Sequence, residues 1–288
     1  MMDARTPRPN TLWLLSWFAP HLALFGILIL IWELLVRTGV ITSIMIPAPS
    51  SIGASIIDLY FVSGTIWPHF FITLTEAVTG FCIGAAIAIA LAVGSSLSDP
   101  FRRYVMPYAI VMNVTPGIAL TPVIIAWFGF GMGSKIALAA VISFFPIFVN
   151  TLTGLTQIDN EREELFTSLG ANRFQIFTRL RVPAALPLLF AGLKIGLTTA
   201  LIGAVVAEFA QATAGVGVLM NRFSFQLNMG ASLATLLSMT LIGLILFYSM
   251  EFLDDRLVFW RREERREAVS RKRARAWKRR AEKTGRIE

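Results

Sequence analysis

The sequence predicts an all-α integral membrane protein with six transmembrane helices, on three observations. Of its 288 residues 55% are hydrophobic and only 15% charged, with a mean hydropathy of +0.66, whereas about a quarter of a soluble domain is charged. Six apolar runs each suffice to cross a bilayer core, which takes about 20 residues of helix: 13–36, 72–97, 104–128, 135–155, 188–210 and 232–253. Lysine and arginine gather on one side of them. With the N-terminus in the cytoplasm, segments 1–12, 98–103, 156–187 and 254–288 hold 2, 2, 4 and 14 basic residues, 22 of the 26 in the chain. Cytoplasmic loops carry such an excess, so both termini are expected inside.

The cytoplasmic segment 1–12 leads into the first span. That run is too long for a cleaved signal and no A-x-A site follows it, so it reads as an uncleaved span. The outer stretch 39–71 contains IPAPSSIGASIIDLYFVSG, in which Ser50 and Asp58 flank an amphipathic run. A short interfacial helix and a plain surface loop both fit it. The second span is rich in small residues, among them Gly80, Gly84, Ala88 and Gly94, which let helix backbones approach closely. It also holds the single cysteine, Cys82, read as a small packing residue. One cysteine excludes an internal disulfide and a multi-cysteine metal site. GFGMGSK (129–135), between the third and fourth spans, lacks a glycine directly before its lysine and reads as a tight turn. Lys194, near the inner end of the fifth span, can snorkel towards water. The tail, 261–288, is basic and suits contact with anionic lipid or plain solvation. It has one aromatic residue and no fold of its own, which argues against nucleic acid as a partner.

The cytoplasmic loop between spans four and five reads ELFTSLGANRFQIFTRLRVPAALP from Glu164 to Pro187. Asn160 with Glu163 spells a capping box, Gly170 a helix stop, and Asn172 with Gln175 a second capping box. Leu165, Phe166 and Leu169 share one face of the first helix. Phe174, Phe177 and Leu180 share a stripe of the second, with Ile176 beside it. Pro183 and Pro187 are expected to end the cytoplasmic part and set the angle into span five. An apolar stripe is costly in water, so it must lie on the membrane, on the bundle or in a groove of another protein.

This loop resembles the cytoplasmic E-A-A loop of ABC importer permeases, whose pattern is E-A-A-x3-G-x9-I-x-L-P. Glu164 falls on the glutamate, Gly170 on the glycine, Leu180 on the isoleucine, Val182 on the leucine and Pro183 on the proline. Leu165 and Phe166 stand where the family has alanines, which makes the surface there bulkier. Stretches 73–98 and 115–155, together with IPAPS, FAGLKIGL and VVAEF, are similar to the nitrate, sulfonate, taurine and bicarbonate branch of these permeases.

The resemblance implies a type I importer permease-like bundle over 13–260, with a coupling loop at 160–187. It implies the permease subunit of an ATP-driven importer in the bacterial inner membrane. Its cargo would be a small solute of the nitrate, sulfonate, taurine or bicarbonate type, or a pyrimidine vitamin precursor, delivered by a periplasmic or lipid-anchored solute-binding protein. The other implied partners are a cytoplasmic ABC ATPase subunit, a second permease copy (most simply as a homodimer) and membrane lipids. The chain has no P-loop of its own, so it is expected to be no enzyme and to hold no cofactor; ATP would be bound by the ATPase subunit. Glu164, Gly170, Arg173, Phe174, Phe177 and Pro183 would carry the coupling, and Arg173, Phe174 and Phe177 would either touch the ATPase or pack on this chain's own helix ends.

Polar residues inside spans are candidates for the translocation pathway: Asn113, Thr115, Thr121, Ser143, Asn150, Thr198 and Glu208. Each of the uncharged ones could instead bond between helices. Glu208 could line the pathway, pair with Arg222 or reach interfacial water. As a titrating group it would also suit an ion-coupled secondary transporter, the alternative to an ATP-driven subunit. Glu33 and Glu76 read as span-end residues, and His21 and His69 as isolated interfacial ones rather than metal ligands.

Overall fold

The computed structural model describes residues 11–258 apart from Asp159, Gln211 and Ala212, and no side chain of residues 11–18 or of Asn160. The capping box expected at Asn160 and the basic tail lie outside the described residues. Among the described residues every regular element is helical.

Three long helices form the centre: α3 (Ile66–Leu97), α6 (Met132–Thr156) and α9 (Val182–Phe209). They approach closely because glycines face their neighbours' backbones. A Cβ added at Gly84 of α3 would sit 2.5 Å from Ala140 O and from Ser143 Oγ, both on α6. One added at Gly203 of α9 would sit 2.9 Å from the Cα of Ala139. In lipid, helix association rests on such packing rather than on hydrophobicity. Gly84→Val should therefore push α3 off α6 and cost about 1–3 kcal/mol of overpacking. A lowered melting temperature of the detergent-solubilised chain checks this, and an unchanged one would contradict the packing.

Around this centre lie α1 (Thr11–Arg37), α2 (Pro49–Ile57), α4 (Asp99–Val114), α5 (Gly117–Phe128), α10 (Val216–Phe225) and α11 (Met229–Leu257). The described part of α1, Ala19–Arg37, has none of its apolar window buried; it sits outside the bundle. It is tied in by Glu33, which accepts from the Ser50 backbone N–H at 3.0 Å and the Ser50 hydroxyl at 2.7 Å. That carboxylate satisfies the start of α2, which in turn packs on α11. Of the two readings of 39–71, a helix and a plain loop, the helix is the one present, and a π turn, Asp58–Val62, extends it.

Five helices are long and apolar enough to cross a membrane, and α4 with α5 makes a sixth span if the bent pair is counted as one. The bend is 102°, so the straight span expected at 104–128 is corrected to an elbow. Thr115 is extended (φ −69°, ψ 121°) because the ring of Pro116 disfavours helix in the residue before it. Pro116 also has no N–H to offer Met112 O, four residues earlier.

A second correction concerns Pro183 and Pro187. They do not end a separate cytoplasmic helix: α8 (Arg173–Ile176) runs through a π turn, Phe177–Arg181, directly into α9, giving one helix from Arg173 to Phe209. The π turn lets Val182 N–H reach back to Phe177 O, and this wider turn accommodates a proline in the first turn of α9. Cys82 is exposed on the outside of α3 rather than packed.

Candidate functional site

The loop joining α6 to α9 begins with α7 (Asn160–Ser168). Gly170 ends α7 in the left-handed region (φ 80°). Ala171 N–H bonds Phe166 O at 3.0 Å and Gly170 N–H bonds Thr167 O at 2.9 Å, the double closure that favours glycine here. The second capping box is formed in full: Gln175 N–H donates to Asn172 Oδ1, and Asn172 N–H to Gln175 Oε1, each at 2.8 Å. Arg181 then bonds both oxygens of Glu163 at 2.8 and 3.0 Å, tying α7 to the base of α9. A cavity of about 510 Å³ lies behind this loop, lined in part by Arg102, Arg173, Ile176, Phe177 and Arg181.

These constraints sort the aromatic residues. Ile176 is buried and Phe177 half-buried, both against the cavity, while Phe174 is 73% exposed. Leu165 and Leu169 stand out as well, at 58% and 77%. The outward apolar face is therefore Leu165, Leu169 and Phe174. Glu164 is exposed on α7, Arg173 is exposed at the cavity mouth, and Pro183 is half-buried in the first turn of α9. Phe177 packs towards this chain's own helix ends.

The opposite end of α9, about 42 Å away for 28 residues, holds a buried polar network that the sequence reading missed. Lys135 of α6 pairs with Glu76 of α3 at 2.6 Å, with 3% and 0% of the side chains exposed. Lys135 also donates to Ala214 O at 2.7 Å. One Glu208 oxygen accepts from the Thr73 hydroxyl and the other from Gly217 N–H, both at 2.6 Å. Thr73 Oγ1 accepts Val216 N–H at 2.9 Å, and His69 Nδ1 accepts Gly215 N–H at 3.0 Å. Four side chains from α3, α6 and α9 thus clamp the backbone at 214–217, where α10 starts. Gly215 is at φ 131°, and a Cβ there or at Gly217 would collide with the Glu208 carboxylate. Glu76 and Lys135 are 59 residues apart and Glu208 meets Thr73 across 135, separations that no local pattern reports.

Burial and hydrogen bonds place most of the pathway candidates inside this chain. Glu208 is 1% exposed and bonds Thr73 and Gly217 rather than Arg222. Thr121 (2%) and Ser143 (0%) are enclosed within the chain, Thr121 reaching Gly117 O at 3.4 Å and Ser143 Ala140 O at 3.1 Å. Small hydroxyls in helices satisfy themselves on a preceding carbonyl and need no water-lined surface. Asn150 and Thr198 are half-buried and bond their own helices. Lys194 does not snorkel; it pairs with Asp254 of α11 at 2.7 Å. Asn113 and Thr115 do come together, at the elbow of α4 and α5.

Residues 80–259 match the family described as "Binding-protein-dependent transport system inner membrane component". The chain belongs to that family. It is 34% identical to the formylaminopyrimidine transport permease protein ThiX of Halalkalibacterium halodurans, over 83% of this chain and 95% of that one. It is 33% identical to the riboflavin transport system permease protein RibX of Chloroflexus aurantiacus, over 88% and 95%, and 30% identical to the putative aliphatic sulfonates transport permease protein SsuC of Bacillus subtilis, over 83% and 87%. Its fold is similar to a chain of the MetNI methionine ABC transporter, with a TM-score of 0.57 at 20% identity, over 68% of this chain and 96% of that one. It is accordingly an ABC-importer permease of the type I fold, multi-pass in the membrane. The family match starts inside α3, so α1 and α2 lie outside it, as α1 lies outside the bundle.

Proposed function

We propose that this permease works as one of two copies, each docked through the loop at 160–183 on a cytoplasmic ATPase subunit, and passes a small solute released by a solute-binding protein on the other side of the bacterial inner membrane. The observation that carries this reading is mechanical. An exposed apolar face (Leu165, Leu169, Phe174) sits at one end of a helix that continues without a break from Arg173 to Phe209. The far end of that helix is fixed to α3 and α6 by the clamp around Glu208. Closure of the ATPase pair would then move loop, span and outer turn as one body, and a rigid element biased by nucleotide is what coupling needs. ATP is bound by the partner, and the permease contributes the path.

The ion-coupled alternative has less support. Its titrating group, Glu208, has both oxygens bonded inside one chain. Uptake into vesicles separates the two readings. The permease with its ATPase and binding protein should accumulate solute only with ATP. Accumulation by the purified permease alone, driven by an ion gradient, would overturn the proposal.

A further inference from the structure

We infer that the elbow between α4 and α5 is where the cargo touches the permease inside the membrane, and that it suits an uncharged, planar, hydrogen-bonding molecule rather than an anion. This rests on the importer reading above and narrows its substrate.

A broken span leaves backbone groups without helical partners, and irregular backbone at membrane depth is tolerated where it is buried in protein or lines a cavity. Here it lines one. A cavity of about 240 Å³ opens at the elbow, walled by Asn113 and Thr115 on one side and by Ile118, Ile142 and Phe145 on others. Asn113 is exposed and supplies both a donor and an acceptor. Phe145 and the aliphatic wall offer apolar faces for a flat ring. Gly117 keeps the backbone close: a Cβ there would lie 2.6 Å from the Ile142 side chain.

Among the described residues the lining carries no charge. The charged groups on the elements around it are committed elsewhere. Lys135 of α6 is held by Glu76 of α3, Lys194 of α9 by Asp254, and Glu208 of α9 by Thr73 and Gly217. On α4 itself, Arg102 pairs with Asp99, and Arg103 lies ten residues before Asn113, about 15 Å along the helix. An anion entering the elbow would give up its hydration and meet no cation, whereas a neutral amide or aminopyrimidine ring would lose little and keep its hydrogen bonds.

The test is ATP-driven uptake by the full complex in proteoliposomes, with a labelled neutral aminopyrimidine and a labelled alkanesulfonate as probes. The aminopyrimidine should accumulate. Asn113→Leu and Thr115→Val should each cut its uptake at least about tenfold, with the ATPase still co-purifying as a control for folding. ATP-driven sulfonate uptake, or undiminished aminopyrimidine uptake in both variants, would overturn the elbow inference while leaving the importer reading standing. Failure of the ATPase to associate with the wild-type permease would remove the importer reading, and the elbow inference with it.

Discussion

Replacing Lys135 by methionine is expected to destabilise the folded permease by about 3–5 kcal/mol, the cost of stranding one member of a buried ion pair. Glu76 would be left buried without its counter-charge, and its second oxygen already has no hydrogen-bond partner. The same substitution removes the bond from Lys135 to Ala214 O, so the turn at 214–217 loses one of its anchors. Glu76→Leu combined with Lys135→Met should recover most of the loss, because neither member of the pair is then stranded and the two apolar chains fill similar volume. The part not recovered measures the anchor on Ala214. Denaturant-induced unfolding of the four proteins of this cycle in detergent separates the two terms. A single variant within about 1 kcal/mol of the original would mean that the pair is not buried and charged as described.

The cycle also marks the boundary of what the sequence makes legible. Span number, loop chemistry and the family pattern are written locally: apolar length, a glycine stop, an Asn-x-x-Gln box. The structure keeps the glycine stop and the box, and it keeps the span count if the bent α4–α5 pair is one span. The burial of Glu76 and Lys135 is not written that way. Each reads alone as a charge near a span end, and only the packing of α3 on α6 brings them to 2.6 Å. Glu208 reads as a lone carboxylate in lipid for the same reason; its partners are a hydroxyl far upstream and the backbone N–H of a glycine whose role depends on the turn. The prolines fail differently. Pro116 sits between two apolar runs and does break the helix, whereas Pro183 follows a π turn that absorbs it. Local rules assign both the same tendency, and the backbone around each decides the outcome.

This contrast bears on how movement passes through the molecule. The elbow uncouples α4 from α5, so the wall of the proposed pathway has a joint. The π turn leaves α8 and α9 joined, so the loop has none. In the proposed function the bent span would flex at the cargo and the continuous helix would transmit as a rod. That division agrees with where the buried ion pairs lie: Lys194–Asp254 ties α9 to α11 and Lys135–Glu76 ties α6 to α3, while neither involves α4 or α5.

In the proposed function the rod is gripped at its loop end, and Phe174→Asp is the change expected to release it. Phe174 is the most exposed aromatic of the loop, and the Asn172–Gln175 box fixes the turn that carries it. If it seats in a partner's cleft, aspartate there must be desolvated without a counter-charge. Exposed aromatic anchors of this kind cost about 2 kcal/mol or more when lost, so ATPase recovery with the tagged permease should fall at least about tenfold. Membrane insertion should be unaffected, since the side chain is 73% exposed and lies outside the apolar runs. Gly170→Pro should give the same loss by another route: proline cannot reach φ 80°, so the angle between α7 and α8 changes while every docking side chain remains. Phe177→Asp is the informative contrast. It places a charge against the cavity wall beside Ile176, and should lower the stability of the permease itself before it affects the partner. Recovery of the ATPase at the original yield with both Phe174→Asp and Gly170→Pro would move the docking surface off this loop, and with it the route by which nucleotide could drive α9.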